Sequence, residues 1–273
     1  VHHFFTKVIK GIENLANRKG YNIIIGLSNE SLSNEIVNME MLTNGSIDGL
    51  IISLSRETMQ KQNYNHISET LNQGIPIVMF DRITEAISCD KVTIDDKKST
   101  QNAVDKLIQN GAKKIAIITT KDYMSVGKLR TDGYKIALKK NNIKIDENLI
   151  IEVDDDLLYE DHLQNLEFQI QKMFNTNPGI DGIFAVNELF ASVAMKIAKN
   201  IGINIPNDLQ VIGFTDGILS RHASPPLSTV NQYGESIGEK ATSVLISRIE
   251  NKSTNNYQTH IIQTDLILRD STK

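Results

Sequence analysis

The sequence contains no tryptophan, one cysteine and five prolines, and aromatic residues make up only 5% of it. A lone cysteine, Cys89, excludes an internal disulfide and a thiolate-rich zinc site and fits a reducing, cytoplasmic setting. No apolar run approaches the ~20 residues that a membrane-spanning helix needs, and no positively charged, apolar leader opens the chain. A basic excess is missing too: 29 Lys and Arg stand against 33 Asp and Glu, for a net charge of −4. That is the wrong balance for a surface that grips a phosphate backbone, so any nucleic-acid function is expected to reside in a segment outside this chain. The reacting groups of an enzyme are also missing. There is no glycine-rich phosphate loop and no Gly-x-Ser-x-Gly elbow. His2, His3, His66, His162, His222 and His260 lack the i, i+4 pairing of a helical metal site. The acidic run Asp154 to Asp156 has no ligand-spaced partner and reads as a solvated loop. The expectation is a protein that is not an enzyme and holds neither metal nor cofactor.

What is present is ordinary globular material: 273 residues, 40% hydrophobic and 23% charged, enough for two medium-sized cores. Apolar positions Val8, Ile9, Ile12, Leu15 and Ala16 recur at helical spacing before Gly20, and "YNIIIGL" then reads as a strand. Helices around Asn34 to Thr43 and Thr58 to Asn72 alternate with the strands "GLIIS" and "IPIVMF". The pattern continues with "KKIAIITT", a helix from Leu129 to Lys140, "NLIIEV", a helix from Leu158 to Phe174, "GIFAV", a helix from Leu189 to Asn200, and "LQVIGF". Continuous apolar strands separated by amphipathic helices indicate βαβ units and parallel sheets covered on both faces. Part of the chain is written twice. "SIDGLIIS" at Ser46 to Ser53 returns as "GIDGIFAV" at Gly179 to Val186, each followed by a helix, an Ile-Pro and a strand ending near an aspartate, Asp81 or Asp216. This argues for two similarly built α/β halves, with chance similarity of short apolar strings around common Asp-Gly turn chemistry as the alternative.

In open parallel sheets, ligands bind beyond the carboxyl ends of the strands. Ser53, Asp81, Asn187, Thr215 and Asp216 all fall at such ends, and two facing halves would set them on opposite walls of one cleft. Arg130, in "KLRTDGYKIAL", lies near the start of the helix after the first strand of the second half. A guanidinium there can fork onto hydroxyls, a carboxylate or a phosphate, or form a surface ion pair. Phe4 and Phe5 can supply a stacking wall for a ring, or plain core.

The blocks "GIPIVMFDR", "VTIDDKKSTQNAVDKLIQNGAKKIAII", "LRTDGYKIAL", "IPNDLQVIGF" and "PPLSTVNQYGESIGEKA" resemble, in unbroken order, the effector-binding core of the LacI/GalR family of bacterial transcription regulators. The resemblance implies a periplasmic-binding-protein type I fold, with two doubly wound, Rossmann-like α/β subdomains joined by three crossovers. By that resemblance the N-terminal subdomain comprises residues 1–112 with 233–263, and the C-terminal one residues 113–232 with 264–273. The crossovers would lie near Gly111 to Lys114, Val230 to Tyr233 and Gln263 to Leu266. It also implies a cytoplasmic homodimer that binds a small-molecule effector, and operator DNA through an upstream helix-turn-helix headpiece. A solute-binding protein of a sugar uptake system on the same fold is the alternative.

Carried over residue by residue, the resemblance implies that Phe4, Phe5, Ser53, Asp81, Arg82, Arg130, Asn187 and the Thr215-Asp216 pair contact the ligand. Thr215 stands where sugar-binding members carry an aspartate, with Asp216 next along, and Glu188 stands where an aspartate usually follows the asparagine. Met124 and Val126 occupy positions where some sugar-responsive members have serines. A threonine hydroxyl accepts weaker hydrogen bonds than a carboxylate, which points away from an ordinary monosaccharide.

Overall fold

The computed structural model describes residues 3–45, 47–121, 125–153, 159–251 and 256–273. Met124, His2 and the acidic run Asp154 to Asp156 lie outside them, as does the onset expected at Leu158 for the seventh helix. In chain order the first elements are α1 (His3–Arg18), α2 (Leu32–Thr43), β1 (Leu50–Ile52), α3 (Arg56–Lys61), α4 (Asn65–Asn72), β2 (Ile77–Phe80), β3 (Asp90–Ile94) and α5 (Asp96–Gln109). Then come β4 (Ile115–Thr120), α6 (Ser125–Lys140), β5 (Ile150–Val153), α7 (Tyr159–Thr176), β6 (Gly182–Ala185), α8 (Glu188–Asn200) and β7 (Gln210–Phe214). The chain closes with α9 (Ile218–His222), β8 (Ser228–Asn231), α10 (Gly234–Asn251), β9 (Thr259–Ile262) and β10 (Asp265–Ile267).

The chain divides into two compact units. The first is built from Val1–Ile94 and Tyr233–Gln263, the second from Asp95–Asp122, Val126–Gln232 and Thr264–Lys273. The sequence reading put the first change of unit at 112, but α5 packs on β6, β7, β8 and β10 of the second unit. Its apolar stripe of Ala103, Val104 and Leu107 is fully buried, so the change falls before α5, at Ile94/Asp95.

The first unit holds a parallel sheet in the order β1-β2-β3-β9. Alternation along β2 turns Ile77 and Met79 into a cluster with Met39 of α2, Met59 of α3, Ile67 of α4 and Cys89. Val78 and Phe80, one step out of phase, face the other way. Burial pushes the Cys89 thiol up to about 11, which leaves it protonated and unreactive. The helix expected from Thr58 to Asn72 is two helices, because Gln62 takes a left-handed conformation (φ 50°) and caps α3. "YNIIIGL" forms no strand: residues 21–27 pair with no strand among the described residues, and Ile24, Ile25 and Leu27 are 60, 55 and 56% exposed.

Helices α1 and α10 lie against each other at two glycines. A Cβ at Gly238 would sit 2.1 Å from the Val8 carbonyl oxygen, and one at Gly11 the same distance from that of Glu235. Backbone cannot yield as a flexible side chain does, so Gly238→Ala is expected to lower the stability of this unit by about 1–3 kcal/mol in urea unfolding, despite alanine's better helix propensity.

In the second unit the strand order is β10-β8-β7-β6-β4-β5, all parallel except β10. Residues Ile115 to Ile118 and Val211, Ile212 and Phe214 are 0–1% exposed, the continuous apolar runs expected of strands covered on both faces. Tyr134 of α6 is anchored beneath them by a 2.7 Å hydrogen bond from its hydroxyl to the Ile115 carbonyl.

Candidate functional site

At the carboxyl ends of β6, β7 and β8 the second unit gathers three of the residues singled out from the sequence. Arg130 enters from α6, which approaches α5 closely at Gly133: a Cβ there would be 2.3 Å from the Lys97 carbonyl oxygen. That approach sets Arg130 beside Asp96, the first residue of α5, with Nε donating to Oδ1 at 2.7 Å. Nη1 donates to the Val186 carbonyl at 2.5 Å, and the guanidinium lies 3.7 Å from the centroid of the Phe214 ring. Arg130 is 6% and Asp96 2% exposed, so the guanidinium is held on three sides by a charge, a carbonyl and a π face. Its Nη2 receives no hydrogen bond partner among the described residues.

Asn187 directly follows Val186 and is the N-cap of α8, its Oδ1 accepting from Phe190 N at 2.8 Å. The cap uses the oxygen and leaves the amide hydrogens for other contacts. Thr215, the residue after Phe214, has φ 109°, a backbone conformation that a β-branched side chain rarely adopts. It is held there by its N–H to the Val230 carbonyl at 2.8 Å and by its hydroxyl, which donates to Gln232 Oε1 at 3.1 Å.

Asp216 behaves differently. It is 1% exposed, and its carboxylate accepts from Arg269 at 2.5 Å and from Arg221 at 3.2 Å. Burial opposes its ionisation, and the hydrogen bonds and charges of Arg269 and Arg221 outweigh that, holding its carboxyl below the usual range. This aspartate turns inward and ties the loop after β7 to the end of the chain. Glu188 does related work: its carboxylate accepts 3.0 Å hydrogen bonds from both the N–H and the hydroxyl of Ser220. It fills the space beside Gly217 so closely that a Cβ there would meet Glu188 Oε1 at 2.0 Å.

In the first unit Phe5, Ser53 and Arg82 share the wall of one cavity of about 800 Å³. Phe5 packs edge-on against Phe80 with centroids 6.0 Å apart, and the Arg82 guanidinium stands 6.0 Å from the Phe5 ring. Arg82 donates to Glu30 Oε2 at 2.5 Å. Burial resists the ionisation of Glu30, and the Arg82 charge and hydrogen bond prevail and lower its pKa. Ser53 Oγ is buried with no hydrogen-bond partner among the described residues. Phe4 and Asp81 are not on this wall. Phe4 is 7% exposed and belongs to the core, stacked edge-on with Phe5 at 5.3 Å; Asp81 directly follows β2, with φ 58°.

Sequence reading missed Asp96 and Gln232. Asp96 follows the N-cap Asp95 and looks like an ordinary first-turn acid, while Gln232 is an amide 3% exposed with no motif around it. Among the described residues no group of His, Cys, Asp and Glu could hold a metal ion.

The sequence profile of the periplasmic binding protein-like domain matches residues 104–272. A ribose operon repressor of Halalkalibacterium halodurans is 30% identical over 99% of the chain and 76% of its own length. The chain belongs to the LacI/GalR family. A second LacI-type relative, the ribose operon repressor of Haemophilus influenzae, is 28% identical over 98% of the chain and 77% of its length. Among solved structures, a transcriptional regulator CelR in complex with cellobiose has the same fold, with TM-score 0.87 at 24% identity over 99% of the chain and 79% of its own. The chain is thus the effector-binding core of a LacI-type regulator, not an enzyme, and the regulator reading prevails over the uptake alternative because the named relatives are repressors.

Proposed function

We propose that this core recognises a small polar ligand of the sugar or sugar-derivative class through Arg130, Asn187 and Thr215 of the second unit, and Phe5, Ser53 and Arg82 of the first. The observation that carries the reading is Arg130, fixed by Asp96, the Val186 carbonyl and Phe214 while its Nη2 has no partner among the described residues. A guanidinium immobilised before the ligand arrives loses little further entropy on binding. The Asn187 amide and the orphaned Ser53 hydroxyl add donors suited to hydroxyl-rich ligands. Asp216 and Phe4 serve this site indirectly, by fixing the backbone that carries Thr215 and Phe5. The ribose operon named for both relatives supports a sugar-like effector, and Thr215 in place of a carboxylate favours one with fewer hydroxyl donors to satisfy at that point.

The regulator works in the cytoplasm as a homodimer that reaches operator DNA through a segment upstream of Val1. An effector with different affinity for two states of the core shifts their populations, and with them the fit to DNA. Two measurements test this. Light scattering at micromolar concentration is expected to give a mass near twice the 30.5 kDa of the chain; a monomer would remove the dimer. A thermal-shift screen over pentoses, hexoses, their phosphates and sugar acids is expected to find a stabilising ligand, worth about 2.7 kcal/mol at a hundred times its Kd. No shift from any of these classes would reject the ligand assignment.

A further inference from the structure

The polar side chains at the carboxyl ends of β6, β7 and β8 in the second unit divide by what they have left to offer. The acids Asp96, Asp216 and Glu188 are buried, at 2, 1 and 9% exposed, and each faces an internal donor. Asp96 accepts from Arg130 Nε, Asp216 from Arg269 and Arg221, and Glu188 from the N–H and the hydroxyl of Ser220. Engaged and buried in this way, none of them presents a carboxylate to a molecule arriving from solvent. Asn187 and Thr215 are half-buried. The Asn187 oxygen caps α8 at Phe190 N, so the amide hydrogens are what it offers, and these have no partner among the described residues. The hydroxyl hydrogen of Thr215 is already donated to Gln232 Oε1. The Nη2 hydrogens of Arg130 are unmatched as well among the described residues.

We infer that the ligand held here carries an oxyanion, a carboxylate or phosphate on a sugar frame, and that these residues discriminate against the uncharged sugar. The inference rests on the reading of Arg130, Asn187 and Thr215 as ligand contacts. A sugar hydroxyl that accepts a hydrogen bond from Arg130 or Asn187 still carries its own proton, which leaves water on binding and needs an acceptor. With the three carboxylates engaged, the Thr215 oxygen is the open acceptor among these side chains. An oxyanion has no proton to place. Arg130 and Asn187 are neighbours through the Val186 carbonyl, which accepts from Nη1, so one oxyanion can take hydrogens from both. Hydrogen bonds with an ionised partner are roughly twice as strong as neutral ones.

Thr215 decides the sign of the preference. An acid at this position would set a negative charge against a bound oxyanion and would supply the strong acceptor that a sugar hydroxyl needs. The threonine offers one uncharged oxygen instead. Thr215→Asp is therefore the substitution that should weaken the anion and favour the neutral sugar. The backbone admits it: at φ 109° aspartate is better tolerated than a β-branched residue.

Calorimetry with two matched sets tests this: D-ribose with its aldonate and its phosphate ester, and D-glucose with the same two derivatives. In at least one set an anion is expected to bind at least ~10-fold more tightly than its neutral parent, and the tighter of aldonate and phosphate identifies the source of the oxyanion. Thr215→Asp is expected to cut that preference at least ~10-fold by weakening the anion. Neutral parents that bind as tightly as their anions, with the affinity lost in Asn187→Ala, would overturn the inference and leave the ligand site standing. No binding by any member of either set would reject the site and the inference together. A Thr215→Asp protein that unfolds as cooperatively as the wild type and keeps the full preference would also overturn it. Should that variant fail to fold, the comparison within the wild type decides alone.

Discussion

Replacing Arg130 by alanine is expected to abolish effector binding and to destabilise the second unit by about 3–5 kcal/mol. The stability loss comes less from contacts removed than from what is left behind: the Asp96 carboxylate, 2% exposed, would lose the guanidinium that donates to it at 2.7 Å. The Val186 carbonyl and the Phe214 face lose their partner at the same time. Since a simple loss of folding would also abolish binding, the double variant Arg130→Ala/Asp96→Ala separates the two effects. Removing the acid that has lost its guanidinium should return part of the stability lost in urea unfolding, because the two sites are coupled, while calorimetry should still find no binding. Wild-type affinity in the double variant would rule out contact between Arg130 and the effector. Arg130→Lys keeps the charge but lacks the fork and the flat face, and is expected to bind at least ~10-fold more weakly.

The second large effect is at Asp216. Asp216→Asn keeps the shape and removes the charge that Arg269 and Arg221 address. A loss of about 2 kcal/mol at neutral pH is expected, short of the full value for a buried pair because Arg221 is 57% exposed and screened by solvent. The pH dependence carries a sign. The folded carboxyl titrates below its ordinary value, so its contribution is complete above the unfolded pKa of about 3.9 and is lost as the pH falls through the lower, folded value. Thermal unfolding of the native protein and of Asp216→Asn should therefore converge as the pH falls below about 4. Curves that stay parallel across that range would show that Asp216 is not the group responsible.

How much could be read in advance differed from element to element for physical reasons. Strands such as Ile115–Thr120 and Gln210–Phe214 were legible because burial on both faces forces an unbroken apolar run. The same rule gave "YNIIIGL" as a strand, and there the letters describe what the segment suits while hydrogen bonding needs a neighbour that residues 21–27 do not have among the described residues. The break at Gln62 was invisible, since glutamine is a good helix former and only the left-handed turn at its backbone ends α3. At the site, Arg130 and Asn187 could be placed by position near strand ends. Asp216 could not be told from Thr215, because the arginine that claims it most closely, Arg269, is 53 residues away in the chain. Asp96 went unread for the same reason: only the approach of α6 to α5 makes it the partner of Arg130.

The fit of Glu188 against Gly217 bears on how such a sensor can change its specificity. With Glu188 in place, a Cβ at 217 would displace its carboxylate and with it the hydrogen bonds to Ser220, so a side chain at that position of the loop that presents Thr215 comes at a cost. Shortening residue 188 to aspartate first would open the room. The two substitutions are therefore coupled: a residue such as serine at 217 is expected to cost less stability after Glu188→Asp than before it. Among descendants of this protein, residues 188 and 217 are expected to vary as a pair.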